Sequence, residues 1–180
     1  MIKKVLNAVA LAAMMFGPAV VLADSSTMPV KKAVAELSPT QGNTVHGEIK
    51  FIQKEGYVLI KAHVEGLTPG KHGFHVHEVG DCSAVDGSSA KGHFNPTSQQ
   101  HGGPDAAIRH EGDLGNLTAN AKGVADYTRK DKVIQLSGEN TILGRSIIVH
   151  GGTDDFTTQP SGNSGARVAC GVIQEWHDNK

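Results

Sequence analysis

Val45-His46-Gly47-Glu48-Ile49-Lys50-Phe51-Ile52-Gln53 and Tyr57-Val58-Leu59-Ile60-Lys61-Ala62-His63-Val64 are two runs carrying β-branched and aromatic residues, separated by the turn signal Glu55-Gly56. Such runs read as β-strands. Outward from them the same texture continues. Lys32 to Leu37 precedes the turn Pro39-Thr40-Gln41-Gly42-Asn43, and Gly66-Leu67-Thr68-Pro69-Gly70 leads into a strand over His72 to His77. Strand signals return at Asp113 to Leu117, Gly123 to Thr128, Arg145 to His150 and Arg167 to Ile173, with Val133 to Leu136 a shorter piece. After the N-terminal segment no helical periodicity is long enough to pack on a sheet. The expectation is all-β, with about eight strands in a sandwich or flattened barrel.

Two stretches break the pattern. Gly80 to Gly112 is rich in Gly, Ser, Asp and Pro and is far longer than an ordinary connection in a compact domain. A long loop that stays structured needs cross-links other than backbone ladders, and this one contains Cys82, His93, His101 and His110. Thr153 to Asn163 is a second irregular loop, and Gln174 to Lys180 reads as a polar tail.

The first 23 residues form a separate object. Lys3 and Lys4 give a basic start, Val5 to Phe16 an apolar stretch, and Val21-Leu22-Ala23 small residues where a signal peptidase cuts. A membrane anchor is the competing reading, but the apolar run is short and interrupted by Gly17 and Pro18. Residues 1–23 are therefore expected to be a signal peptide and residues 24–180 one exported domain, opening with a polar leader from Asp24 to Val30. Of the 180 residues, 157 then remain, enough for one compact core. Removing Lys3 and Lys4 leaves 15 basic against 18 acidic residues. That balance gives no reason to expect nucleic acid or membrane binding after the leader is removed. Cys82 and Cys170 are the two cysteines; in an oxidising compartment a disulfide is the natural reading, with a pair of free thiols as the alternative.

His75 and His77 share one face of the strand His72 to His77, about 7 Å apart, and can converge on one metal ion. A His-x-His pair also arises by chance in a chain with ten histidines. The later residues decide between these readings: His93, His101, His110, Asp113 and His150 raise the count to six imidazoles and a carboxylate. That is too many donors for one tetrahedral ion, and imidazole favours copper and zinc.

Gly73-Phe74-His75-Val76-His77-Glu78, Gly92-His93-Phe94-Asn95-Pro96, His101-Gly102-Gly103-Pro104, Arg109-His110-Glu111-Gly112-Asp113-Leu114-Gly115-Asn116, Ile148-Val149-His150 and Gly165 to Ile173 together resemble copper-zinc superoxide dismutase, in order over nearly the whole mature chain. The resemblance implies an eight-stranded Greek-key flattened barrel, an immunoglobulin-like sandwich in its architecture, with two long functional loops. It implies dismutation of superoxide anion to dioxygen and hydrogen peroxide by one copper and one zinc ion per chain. Copper would be held by His75, His77, His93 and His150, and zinc by His93, His101, His110 and Asp113. His93 would bridge the metals and carry a proton; Arg167 would guide the substrate anion. Asp154, four residues past His150, matches an aspartate that hydrogen-bonds one histidine of each metal, with Asp155 its competitor.

Cys82, five residues after His77, resembles the bacterial exported branch of the family, which implies the periplasm, whereas Gly112 to Asn116 is closer to the eukaryotic type. Those branches pair through different faces, so a homodimer is admitted without its surface being specified. Thr153 to Asn163 lacks the lysine and glutamate that steer substrate in many relatives, and Lys91 is a substitute candidate. Two other classes compete. An exported protein that stores or delivers copper or zinc without turnover would need the ligands but not Arg167. A zinc hydrolase would need an open metal position and a general base, for which Glu78 and Glu111 are available.

Overall fold

A computed structural model describes residues 29–177; the expected signal peptide over residues 1–23 lies outside the described residues. The chain forms β1 (Lys32–Pro39), β2 (His46–Lys54), β3 (Tyr57–Glu65), β4 (Gly70–His77), β5 (Asp113–Ala119), β6 (Ala125–Asp131), β7 (Ser146–His150), β8 (Arg167–Val172) and a two-residue β9 (Gln174–Glu175). The only helix among the described residues is one 3-10 turn, Ser88–Ala90.

All strand pairs are antiparallel, in the order β5-β4-β7-β8-β1-β2-β3-β6, with β9 on β1. The expected eight-stranded barrel is present and nearly closed. Its seam lies between β5 and β6, where the Tyr127 hydroxyl donates to the Leu114 carbonyl at 2.7 Å. β1 serves both halves: Lys32 to Leu37 pair with β2, and Ser38 and Pro39 pair with β8.

Alternation along the strands builds the interior. In β3, Val58, Ile60, Ala62 and Val64 point inward while Lys61, His63 and Glu65 face water. They join Ile49, Phe51, Phe74, Val76, Leu117 and Ile147 in one core, each large side chain stabilising by roughly 1.5–3 kcal/mol. β4 departs from this alternation, because His72 to His77 are buried on both faces. Phe74 and Val76 enter the core, and the opposite face, bearing His75 and His77, is covered by the loop from Glu78 to Gly112. Covered polar side chains on a strand face require partners, and that requirement locates the site.

Two expectations change. Val133 to Leu136 is no strand: Asp131 Oδ1 accepts from the backbone N–H groups of Val133 and Ile134 at 2.8 and 3.1 Å, which turns the chain. Ile134 and Leu136 still reach the core, and Gln135 makes a single bridge with Thr141. The polar tail also contributes. Gln174–Glu175 pair with Val34 and Ala33, and the Trp176 ring lies beneath the ammonium groups of Lys32 and Lys50 at 5.0 and 5.2 Å.

Candidate metal centre

β4 supplies His75 and His77, the end of β7 supplies His150, the start of β5 supplies Asp113, and the long loop supplies His93, His101 and His110. Register shifts occur between Gly73 and His75 against β5, and between Val149 and His150 against β8. Such bulges re-aim side chains next to functional sites. His93 is pinned to His77 by an isolated backbone bridge. The outcome is two buried groups whose donor atoms each lie within 4.8 Å of one another: His75, His77, His93 and His150, and His93, His101, His110 and Asp113.

In the first group His75 Nδ1, His77 Nε2, His93 Nε2 and His150 Nε2 are all buried without a hydrogen-bond partner. Four orphaned nitrogens facing one point are costly unless something binds them. The far side of each ring is held: His77 Nδ1 donates to Lys91 O at 2.8 Å, His150 Nδ1 to Gly165 O at 3.2 Å, and His75 Nε2 to Asp154 Oδ2 at 2.8 Å. In the second group Asp113 Oδ1 lies 2.8, 3.0 and 3.2 Å from Nδ1 of His93, His101 and His110. Its other oxygen accepts from the backbone N–H of Gly102 and His110, which fixes the carboxylate. His93 thus presents Nδ1 to one group and Nε2 to the other. Both sets fit copper and zinc by donor type and count.

The two halves differ electrically. Burial, aided by neighbouring imidazoles, pushes His93 down to about 4 and His150 to about 3, and lowers His75 and His77 as well. The shifts favour the neutral rings, whose lone pairs can bind. His101 is buried too, but Asp113 and Asp154 outweigh that cost and raise it to about 9. Burial would raise the carboxyls of Asp113 and Asp154; hydrogen bonds from the histidines reverse this and hold both below the usual carboxylate range.

Asp154 joins the halves. Oδ2 faces His75, Oδ1 lies 2.9 Å from His101 Nε2, and its backbone is clamped by Asn116 through bonds of 2.8 and 3.0 Å. Asp155 is exposed and binds Thr157 and Thr158 instead. Gly162, at φ +69°, lies against Asp154 and His101, where a Cβ would overlap both.

Arg167, from the start of β8, donates to the carbonyls of Gly87 at 2.7 Å and Lys91 at 2.5 Å. The Lys91 carbonyl therefore holds both His77 and Arg167. Arg167 lines a cleft of about 570 Å³ with His77, His93, His150 and Lys91. The disulfide Cys82–Cys170, with Cα atoms 5.8 Å apart, fastens the loop carrying Gly87 and Lys91 to the same strand.

Some supports escaped the sequence reading. Arg109 is buried and donates to the carbonyls of His110, Glu111 and Asp113 and to Asp131, so it shapes the turn bearing His110 and Asp113. Gln159 makes a reciprocal pair of bonds with the backbone of His101, and Asn116 clamps Asp154. The signal for Arg109 was its place beside His110, since a cation there must find acceptors; Asn116 and Gln159 carry no local mark. His46, His63 and His177 are exposed, and His72 is a structural histidine bonded to the carbonyls of His150 and Thr68.

Residues 45–173 match the family described as copper/zinc superoxide dismutase. The chain belongs to the copper/zinc superoxide dismutase family. It is 45% identical over 154 residues to "Superoxide dismutase [Cu-Zn] 2" of Mesembryanthemum crystallinum, covering 81% of this chain and 96% of that protein. It is 43% identical to "Superoxide dismutase [Cu-Zn]" of Paramecium bursaria Chlorella virus 1, covering 83% of each. To "Extracellular superoxide dismutase [Cu-Zn]" of Drosophila melanogaster it is 41% identical over 84% of this chain and 88% of the relative. As a copper-zinc superoxide dismutase, the chain catalyses dismutation of superoxide to dioxygen and hydrogen peroxide with copper and zinc as cofactors.

Proposed function

We propose that His75, His77, His93 and His150 hold the copper, that His93, His101, His110 and Asp113 hold the zinc, and that Arg167 receives the superoxide anion beside them. The observation that carries this is the set of four buried, unpartnered nitrogens at His75 Nδ1, His77 Nε2, His93 Nε2 and His150 Nε2. Bound copper supplies one-electron oxidation and reduction of superoxide, and bound zinc, which has one oxidation state, fixes the geometry.

The chain supplies the rest. The Arg167 guanidinium stays charged and, with both Nη atoms tied to carbonyls, offers a fixed direction for hydrogen-bonding a small anion. Lys91 adds a second cation to the wall of the cleft. His93 serves as bridge and proton carrier: Nδ1 faces Asp113, and Nε2 faces the first group, where it can hold a proton and pass it to a departing product. Asp154 orients one ring of each half.

In Arg167→Ala, both metals should be retained while the dismutation rate falls roughly tenfold, about 1.4 kcal/mol of transition-state stabilisation. An unchanged rate at full metal content would remove Arg167 from the reaction. Full metal content in the unaltered protein without turnover would support storage or delivery instead.

We also propose export to the periplasm in a form beginning at Asp24. The basic start and apolar stretch of residues 1–23, and the disulfide, support it. No helix of the described residues is long and apolar enough to cross a membrane. N-terminal sequencing of the protein from a periplasmic extract should read Asp24-Ser25-Ser26; a product retaining Met1 in the cytoplasm would contradict it.

A further inference from the structure

Arg129 breaks the pattern of the barrel. On β6 the inward row is Ala125, Tyr127, Arg129 and Asp131, while Asp126, Thr128 and Lys130 face water. A guanidinium and a carboxylate on the core side of a strand need partners. β6 ends the strand order, so its free edge faces the seam beside β5 rather than another ladder.

Asp131 is the anchor. Its carboxylate is fully buried, and Oδ2 accepts from two guanidiniums, Arg109 Nη2 at 2.7 Å and Arg129 Nε at 3.1 Å. The rest of each arginine goes to a different stretch of the long loop. Arg109 takes the carbonyls of His110, Glu111 and Asp113. Arg129 Nη2 crosses the seam and donates to the Pro104 carbonyl and, at 3.0 Å, to Asp105 Oδ1. Pro104 and Asp105 are the middle of a turn just past His101, in which the Ala106 N–H donates to the Gly103 carbonyl at 2.9 Å. This turn is seated on β5: at Gly115, where φ is +88°, an added Cβ would come within 2.7 Å of Pro104 Cγ. The Asp105 side chain is 89% exposed, so its ion pair with Arg129 contributes little. The Arg129 side chain is only 17% exposed, and its bonds to Asp131 and the Pro104 carbonyl carry the connection.

We propose that Arg129 is a positioning residue for the zinc half of the centre. By bridging Asp131 to the Pro104 carbonyl, it fixes the turn after His101 in the same frame as the turn bearing His110 and Asp113. The inference rests on the zinc donors proposed above. A planar guanidinium can hold Asp131 through Nε and Pro104 through Nη2 at once, whereas a lysine ammonium keeps the charge beside Asp131 without spanning the two. That difference separates positioning from simple neutralisation of a buried carboxylate. The copper group shares only His93 with the zinc group, so copper should not follow zinc.

The test dialyses the copper- and zinc-loaded full protein against a chelator and counts each metal, with the visible absorption of cobalt(II) placed in the zinc site as a report on its geometry. Arg129→Gln and Arg129→Lys should each lose zinc about tenfold more readily than the parent, the lower end of what losing an outer partner costs a metal site. Copper should be retained as in the parent, and the cobalt band should change in position or intensity in both variants. Parent-like zinc retention and an unchanged cobalt spectrum in Arg129→Lys would overturn the role and leave charge neutralisation in its place. Equal loss of copper and zinc in both variants would overturn it as well, since that is a general loosening of the fold. Zinc that survives Asp113→Ala would show that the donor assignment itself fails, and the positioning role with it.

Discussion

Asp154 concentrates the chemistry of orientation in one side chain. Its two oxygens face His75 and His101, which belong to different donor groups, so one carboxylate sets both ring planes. Asp154→Asn should bring one amide N–H against a ring nitrogen and weaken metal retention by 10- to 100-fold. Metal content after dialysis against a chelator measures this, and retention equal to the parent's would contradict the role. Tyr127 offers a residue-scale test of pH. Burial pushes its phenol well above the ordinary range, so the neutral form is favoured in the folded protein. Its contribution to stability is complete below about pH 10, the unfolded value, and declines as pH rises above it. Parent and Tyr127→Phe should therefore show the same phenolate absorbance at about pH 10 while folded; a difference there would place Tyr127 in contact with water.

The element that matters most is the loop after β4. It is held at one end by the disulfide to β8, in the middle by hydrogen bonds from Arg167 to Gly87 and Lys91, and further on by Arg109 beneath His110 and Asp113. Cys82 and Cys170 are 88 residues apart, so the cross-link should contribute about 4–5 kcal/mol by restricting the unfolded chain. A Cys82→Ser, Cys170→Ser protein should lose about that stability in denaturant titration. Its dismutation rate should also fall at full metal content, because the carbonyls that aim Arg167 lie on the released loop. A loss of stability with an unchanged rate would mean that the loop holds Arg167 without the disulfide.

Across the whole molecule, the barrel was legible because its strands bury one face: Val58, Ile60, Ala62 and Val64 against Lys61, His63 and Glu65 leave little other choice. Of the proposed donors, His93, His101 and His110 stand out in the sequence because they lie in a Gly-rich loop where an imidazole has few structural uses, whereas His75, His77, His150 and Asp113 lie on strands and are marked by the family's blocks around them. Elements without a pattern of their own were not. Gln174–Glu175 is polar and becomes a strand only because β1 presents a backbone edge to it. Val133 to Leu136 looks like a strand but is turned by Asp131, a contact visible only once the chain has folded. Likewise Asn116 and Gln159 act through hydrogen bonds to residues 38 and 58 positions away.

The central claim is that one imidazole, His93, serves two metals and so couples the halves of the site. Anomalous X-ray diffraction at the copper and zinc absorption edges of the metal-loaded protein tests it most directly. Copper should appear among His75, His77, His93 and His150 and zinc among His93, His101, His110 and Asp113, with His93 on both ions. Two metals with no histidine in common, or one metal spread over both positions, would contradict the account.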